Sequence, residues 1–375
     1  MRGCVRLRSH SQYSRVEGAL PLGRVIGRAV KDARPALGIA DRNNLFGALE
    51  FSEKAAGAGI QPIIAVTLAV DFGLEEGSNR GVKRSAPPSL VLIAKDEAGY
   101  GNLMWIVSRA WLDGDGPGDV AIDAGLLNGR TDGLIALTGG PEGPVDRQLA
   151  LRNGEAARDV LERLAALFPD ALYVELQRHG TDGERTVEPA LVELAYDLRL
   201  PLVATNQPYF ATREDFEAHD ALICIAEGRM VADPERRQLT PEHYMKSRAE
   251  MAALFADLPE ALASTIEIAE RCCYRPMTRD PILPSFTTVS AGKSSGDAVS
   301  ADAGNTEAAE AAEMRRQAEE GLERRLSVHG VAPGVEPEAY RERLQFELGV
   351  IERMAYAGYF LIVADFIKWA KAHDI

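Results

Sequence analysis

The chain offers few residues whose types and spacing could do chemistry, and they fall beside short apolar runs. His10 lies in Arg8-Ser9-His10, with Glu17 shortly after it. Asp41 leads Asp41-Arg42-Asn43, His179 closes Gln177-Arg178-His179, and Asn206-Gln207 follows another apolar run. Histidines and carboxylates brought together from such positions could hold divalent cations, which need several oxygen or nitrogen donors and activate water for hydrolysis. Only His10, Glu17, Asp41 and His179 have that donor chemistry. Arg8 and Arg42 place fixed positive charge where a cation would sit, so the expectation is that no metal is held.

The other histidines are expected to be bland. His219 follows Glu214, Asp215 and Glu217 and reads as a helix-face residue pairing locally. His243 and His329 read as surface residues, and His373 carries no signal. The sequence has no G-x-S-x-G nucleophile turn and no G-x-x-x-x-G-K or G-x-G-x-x-G phosphate loop. Gly139-Gly140-Pro141 reads as a tight turn. Arg315-Arg316 and Arg324-Arg325 read as a solvated helix balanced by Glu310, Glu313, Glu319, Glu320 and Glu323; a phosphate-facing strip is the alternative.

The positioning elements follow from periodicity. Cys4–Arg8 alternates like a half-buried strand. Leu22, Val25, Ile26, Ala29 and Val30 recur at helical spacing. Apolar runs at Ala36–Ala40, Ile63–Val70, Ser89–Ala94, Gly133–Thr138, Leu172–Leu176 and Pro201–Thr205 read as strands. Between them lie helical stretches, including Leu45–Gly57, Leu191–Leu198 and one near Asp215–Ala226. About seven β–α units with strands apolar on both faces predict a parallel sheet. In about 220 residues, closure into a barrel is favoured over a doubly wound open sheet.

The predicted domains are a β/α barrel over 1–226, a helical extension over 227–286, a linker or insertion rich in Ser, Gly, Ala, Asp and Thr over 287–306, and the incomplete start of a further domain over 307–375. Within the last, Glu307–Leu326 is a charged helix and Pro337–Met354 an amphipathic one. Gly358 is expected to break it before a final helix, Tyr359–Ala372.

Composition sets the outer limits. The 375 residues are 46% hydrophobic and 26% charged, ample for a core in one barrel plus an appendage. A net charge of −14 excludes holding nucleic acid or anionic membrane by bulk charge, though not a local basic patch. Cysteines at 4, 224, 272 and 273 form no C-x-x-C pair. With no secretory leader or membrane-length apolar run, a reduced, cytoplasmic chain without a membrane partner is expected.

The segments LRSHSQYSRVEGAL, PALGIADRNNLFGALEF, GLIALTGG, YVELQRHG, LPLVATNQPYF, EDFEAHDALICI and MAYAGYFLIVADFIKWAK follow one another in order. Over essentially the whole chain the sequence resembles the amino-terminal part of bacterial replicative DNA polymerase III alpha subunits, the family C polymerases. The resemblance implies a polymerase and histidinol phosphatase (PHP) domain, a distorted seven-stranded β/α barrel, followed by the start of a polymerase palm. Some members keep a multi-metal site at the strand ends. Here Arg8 precedes His10 where that site has His-x-His, and Asp41-Arg42 replaces Asp-His. Thr67 stands for a Glu, Gly140 for a Cys, and Asn206-Gln207-Pro208-Tyr209 for Asn-Asp-x-His. His10, Glu17, Asp41 and His179 are then remnants of a degenerate site.

The function so implied is DNA replication by template-directed synthesis with Mg2+. The partners implied are DNA, a proofreading exonuclease, the sliding clamp and the clamp loader. The polymerase's catalytic carboxylates are expected beyond Ile375, so no catalytic residue is assigned and the 375-residue chain is expected to be inactive. The alternatives are a metal-dependent phosphoesterase and a docking module for the exonuclease.

Overall fold

The structure, a computed structural model, describes residues 4–14, 17–74, 86–114, 120–279, 286 and 303–375. Two compact units divide between Thr278 and Arg279.

The first unit is built on a mixed sheet of seven strands curled into a half-barrel: β1 (Ala36–Arg42), β2 (Gln61–Asp71), β3 (Ser89–Ala94), β4 (Ile122–Asp123), β5 (Leu134–Leu137), β6 (Leu172–Gln177) and β7 (Leu202–Thr205). The order is β1-β2-β3-β5-β6-β7, with β4 beside β2. The strands of the main path are buried nearly throughout. Helices α1 (Leu22–Lys31), α2 (Ala48–Gly57), α3 (Glu97–Leu112), α4 (Pro144–Ala150), α5 (Gly154–Leu167), α6 (Asp182–Asp197), α7 (Phe216–Glu227), α8 (Arg248–Leu254) and α9 (Pro259–Arg271) accompany the sheet. Local chemistry fixes several starts. Asp96 caps α3 by accepting from Gly99 N at 2.8 Å, and Thr181 with Glu184 forms a capping box on α6.

The expected parallel sheet needs correction. β3 runs antiparallel to both β2 and β5, while β1–β2, β5–β6 and β6–β7 are parallel. No helix intervenes between β2 and β3 among the described residues, and a direct return, unlike a helical crossover, pairs strands antiparallel. Apolar runs announce burial on both faces and say nothing of direction.

Cys4–Arg8 is not a laddered strand. It makes one parallel bridge, Arg6 with Leu37, and lies beside β1 through Gly38 N to Arg6 O at 2.6 Å and Ala40 N to Ser9 O at 2.9 Å. Its other contacts are on the far edge: Arg6 donates to Asn206 Oδ1 at 2.9 Å, next to β7, and Val5 N to Thr265 Oγ1 of α9 at 2.9 Å. The segment therefore fills the gap where β1 and β7 share no ladder among the described residues. β4 was not anticipated; its two residues are too short for a period to show.

The second unit holds α10 (Ala303–His329), α11 (Pro337–Arg353) and α12 (Ala357–Ala372), packed around Met314, Leu348, Ala357 and Leu361. The expected linker lies outside the described residues up to 302; α10 begins at Ala303. The expected break at Gly358 falls earlier. Ala355, at φ 57, ends α11, and Gly358 sits inside α12, where a Cβ would come within 2.5 Å of Glu310 Oε2. The glycine serves close approach, not a turn. The arginine pairs follow the bland expectation where partners are seen: Arg315 pairs with Glu352, and Arg316 with Glu313 and Glu320.

Candidate functional site at the mouth of the sheet

The C-terminal ends of the parallel strands bring His10, Asp41, Arg42, His179, Asn206 and Gln207 to one end of the sheet. Because β3 is reversed, its first residue, Ser89, arrives at the same end and accepts from Arg42 NH1 at 3.3 Å. The tight turn after β5 contributes Glu142, with Gly139 at φ 93 and Gly140 at φ 60.

Two guanidinium networks dominate. Arg8 is wholly buried and shares NH1 between both oxygens of Glu175 at 3.2 Å and Gly139 O at 3.3 Å. Gln177 and Thr205 also donate to Glu175. Arg42 bridges Glu17 at 2.8 Å and Glu142 at 2.7 Å, and Arg237 reaches the other oxygen of Glu17 at 2.7 Å. Burial pushes the Glu142 carboxyl up, but Arg42 and Arg8 outweigh it and hold it down at about 2. Burial likewise raises Glu17, and Arg42 and Arg237 reverse the sign.

The four residues with metal-ligand chemistry are near this end, but their lone pairs are already used. Asp41 accepts Ser11 N and Ser11 Oγ at 2.7 Å each and Ser14 Oγ at 2.6 Å. His10 Nδ1 meets Ser14 Oγ at 3.2 Å, its Nε2 accepts from Gln207 at 2.8 Å, and its ring stacks on Tyr209. Burial, then Arg8 and Arg42, hold His10 well below the usual imidazole range, so it is neutral. His179 donates Nδ1–H to Glu184 at 2.8 Å, the arrangement that elsewhere orients a metal-binding imidazole. Here its Nε2 accepts instead from Asn206 at 3.1 Å and Gln207 N at 3.4 Å.

Buried polar atoms left without partners are of both kinds: the N–H donors Arg8 Nε and NH2 and Arg237 NH2, and Ser9 Oγ, Asp146 Oδ2 and His219 Nδ1. The unpartnered guanidinium N–H groups of Arg8 and Arg237 disfavour a cation beside them. Among the described residues no three His, Cys, Asp or Glu side chains converge on a common point. The donor set does not fit a multi-metal cluster.

Two histidines differ from expectation. His219 is buried and bonds Glu17 O, 202 residues away, at 2.6 Å instead of pairing locally. His243 is buried too, its ring stacked on His179 at 3.9 Å; burial and then His179 push it down to about 2. Glu142, Glu175, Glu184 and Arg237 are site residues the sequence reading passed over. Glu175 had a signal, a lone charge inside the apolar strand LYVELQ; Arg237 had none.

Residues 6–179 match the PHP domain family, and residues 312–375 match the bacterial DNA polymerase III alpha NTPase domain. DNA polymerase III subunit alpha of Caulobacter vibrioides is 45% identical over 373 residues, 100% of this chain and 31% of that protein. The Pseudomonas aeruginosa protein of the same name is 37% identical over 381 residues, 99% of this chain and 30% of the relative. The chain thus spans under a third of the length of these relatives. Among solved structures, an amidohydrolase from Chromobacterium violaceum aligns with 55% of this chain and 87% of its own, at TM-score 0.33 and 16% identity.

Proposed function

The chain belongs to the DNA polymerase III alpha-subunit family, and from that premise we propose that it serves template-directed DNA synthesis in replication, with its PHP half-barrel acting as a scaffold. The observation that carries the first part is 45% identity to a named alpha subunit along the entire chain. The scaffold reading rests on Arg42, which stands between Glu17 and Glu142. A guanidinium there neutralises the acids by hydrogen-bonded ion pairing and leaves no water-activating centre.

In this reading the chain supplies no catalytic residue for polymerisation. His10, Glu17, Asp41 and His179 support the mouth of the half-barrel. The Mg2+ chemistry of the family draws on residues outside this chain, as does the main grip on DNA. The net charge of −14 makes any DNA affinity of the 375-residue chain weak and steeply salt-dependent. The proofreading exonuclease is the proposed partner of the half-barrel, the sliding clamp and clamp loader those of the assembled polymerase, and the cytoplasm its compartment. No described helix is long and apolar enough to cross a membrane.

The test is elemental analysis of the chain purified from medium supplemented with zinc, manganese and iron, together with a phosphodiesterase assay and primer extension. No stoichiometric metal, no ester turnover and no extension are expected. Metal at one or more equivalents with phosphodiesterase turnover would establish the second reading, a metal-dependent phosphoesterase. Retention of the exonuclease in a pull-down is expected, and its loss would remove the docking role.

A further inference from the structure

Away from the mouth, a cavity of about 300 Å3 opens between the end of α1 and the approach to α8, lined by Arg28, Lys31, Asp32, Arg34, Lys246 and their neighbours. That volume is at the small end of ligand pockets, roughly 300–1,000 Å3. Its charges do not balance. Arg34 pairs with Asp32 at 2.8 Å and Lys246 with Glu242 at 3.0 Å. Arg28 reaches only a carbonyl, Met245 O at 3.4 Å, and Lys31 has no carboxylate within ion-pair distance among the described residues.

Behind the lining lies a third cation with no carboxylate within ion-pair distance among the described residues, although Asp32 is near enough to act on it. Arg6 is buried and donates to Asn206 Oδ1 and Lys246 O, the same carbonyl that Arg34 takes at 3.1 Å, and its Nε has no partner. Two positive charges without an ion-pair partner line the cavity and a third, Arg6, lies behind it, in a chain whose total is −14. Cations on the last turn of a helix complement its carbonyl end, which accounts for Arg28 and Lys31. It does not account for Arg6, which precedes α1 and is buried at the cost of an unpaired guanidinium.

We propose that this cavity binds a di- or triphosphate group, free or at the end of a nucleotide. Such a group carries enough negative charge to cancel the excess. Arg28 and Lys31 at the rim offer guanidinium and ammonium donors of the kind that hold phosphoryl oxygens. The fixed charges of Arg6 and Arg34 lie behind them. Inorganic phosphate, with fewer charges, binds more weakly.

The test is calorimetric titration of the 375-residue chain with tripolyphosphate, pyrophosphate, inorganic phosphate and dATP in magnesium-free buffer at low salt. A Kd of about 1 mM or tighter for tripolyphosphate is expected, weakened roughly tenfold or more in the Arg28→Gln/Lys31→Gln variant. Both positions are on the surface side of α1, so the fold is retained, as circular dichroism would verify. Arg324→Gln/Arg325→Gln removes the same charge from α10 and is expected to bind like the unaltered chain. dATP binding no tighter than tripolyphosphate assigns the site to the phosphate tail alone; tighter binding adds a nucleoside contact. Absence of tripolyphosphate binding, an unchanged Kd in the α1 variant, or an equal loss in the α10 variant would overturn the proposal.

Discussion

Arg42 and Glu142, a hundred residues apart in sequence, meet at 2.7 Å and form the link that ties the end of β1 to the turn after β5. Arg42→Gln strands Glu142 and half of Glu17 in a mostly enclosed place. The pair keeps some solvent contact, so the expected cost is about 1–3 kcal/mol, below that of breaking a fully buried pair. Urea denaturation at neutral pH measures it. Glu142 is depressed from 4.5 to about 2 in the folded chain. Its contribution is present above the unfolded value and is lost as pH falls towards 2. The gap between the two proteins should therefore close over that window, and a gap independent of pH would show that Arg42 acts by packing alone.

Arg8 and Glu175 are buried without any solvent contact. Glu175→Ala leaves a guanidinium sealed in the half-barrel and is expected to cost about 3–5 kcal/mol. Arg8→Met combined with Glu175→Leu removes both charges and should lose less than the single variant. Equal losses for the two would mean that Glu175 matters chiefly through Thr205 and Gln177.

Asp146, in the first turn of α4, is buried with Oδ2 unpartnered, and burial followed by Glu175 raises its carboxyl to about 8. The folded chain then holds a proton that the unfolded chain releases near 3.8. Stability due to this group is fully present below that value and is lost as pH rises towards 8. Asp146→Asn should flatten the decline and be the more stable protein at pH 8. Thermal melts across the range decide this, and parallel curves for both proteins would refute it.

Gly38 faces Leu7 so closely that an added Cβ would come within 2.1 Å of the Leu7 carbonyl oxygen. The obstacle is backbone and cannot swing away. Gly38→Ala should unseat the segment that carries Arg6, Arg8 and His10, with Tm falling by about 2–4 °C for each kcal/mol lost. Backbone amide exchange should show the protection of Gly38 N and Ala40 N reduced well beyond that of β6. A melt identical to that of the unaltered chain would show that the segment is loosely held.

Much of the fold was legible. The strand Ser89–Ala94 matches to the residue and the helix expected over Pro337–Met354 ends one residue early, because apolar periodicity and a proline start are local signals. The direction of β3 was not, since an apolar run looks the same either way round. Arg8 and Arg42 could be read at the strand ends, and their charge argued against a cation. Their partners Glu175 and Glu142 depend on the pairing of β6 and the turn after β5, distances of 167 and 100 residues. His243 and His219 failed for the same reason. Their burial comes from His179 and from Glu17 O, and the flanking charges give no hint of either.

The amino-terminal segment also sets a timetable for synthesis. Val5 is held by Thr265, 260 residues downstream, and Arg6 by Asn206 and Lys246. At about 5–20 residues per second, roughly 13–50 s separate the emergence of Val5 from that of its partner. Throughout that interval the segment around Val5 and Arg6 has no finished seat. A nascent chain stalled before α9 should keep this end open to protease or chaperone, and one released after α9 should not.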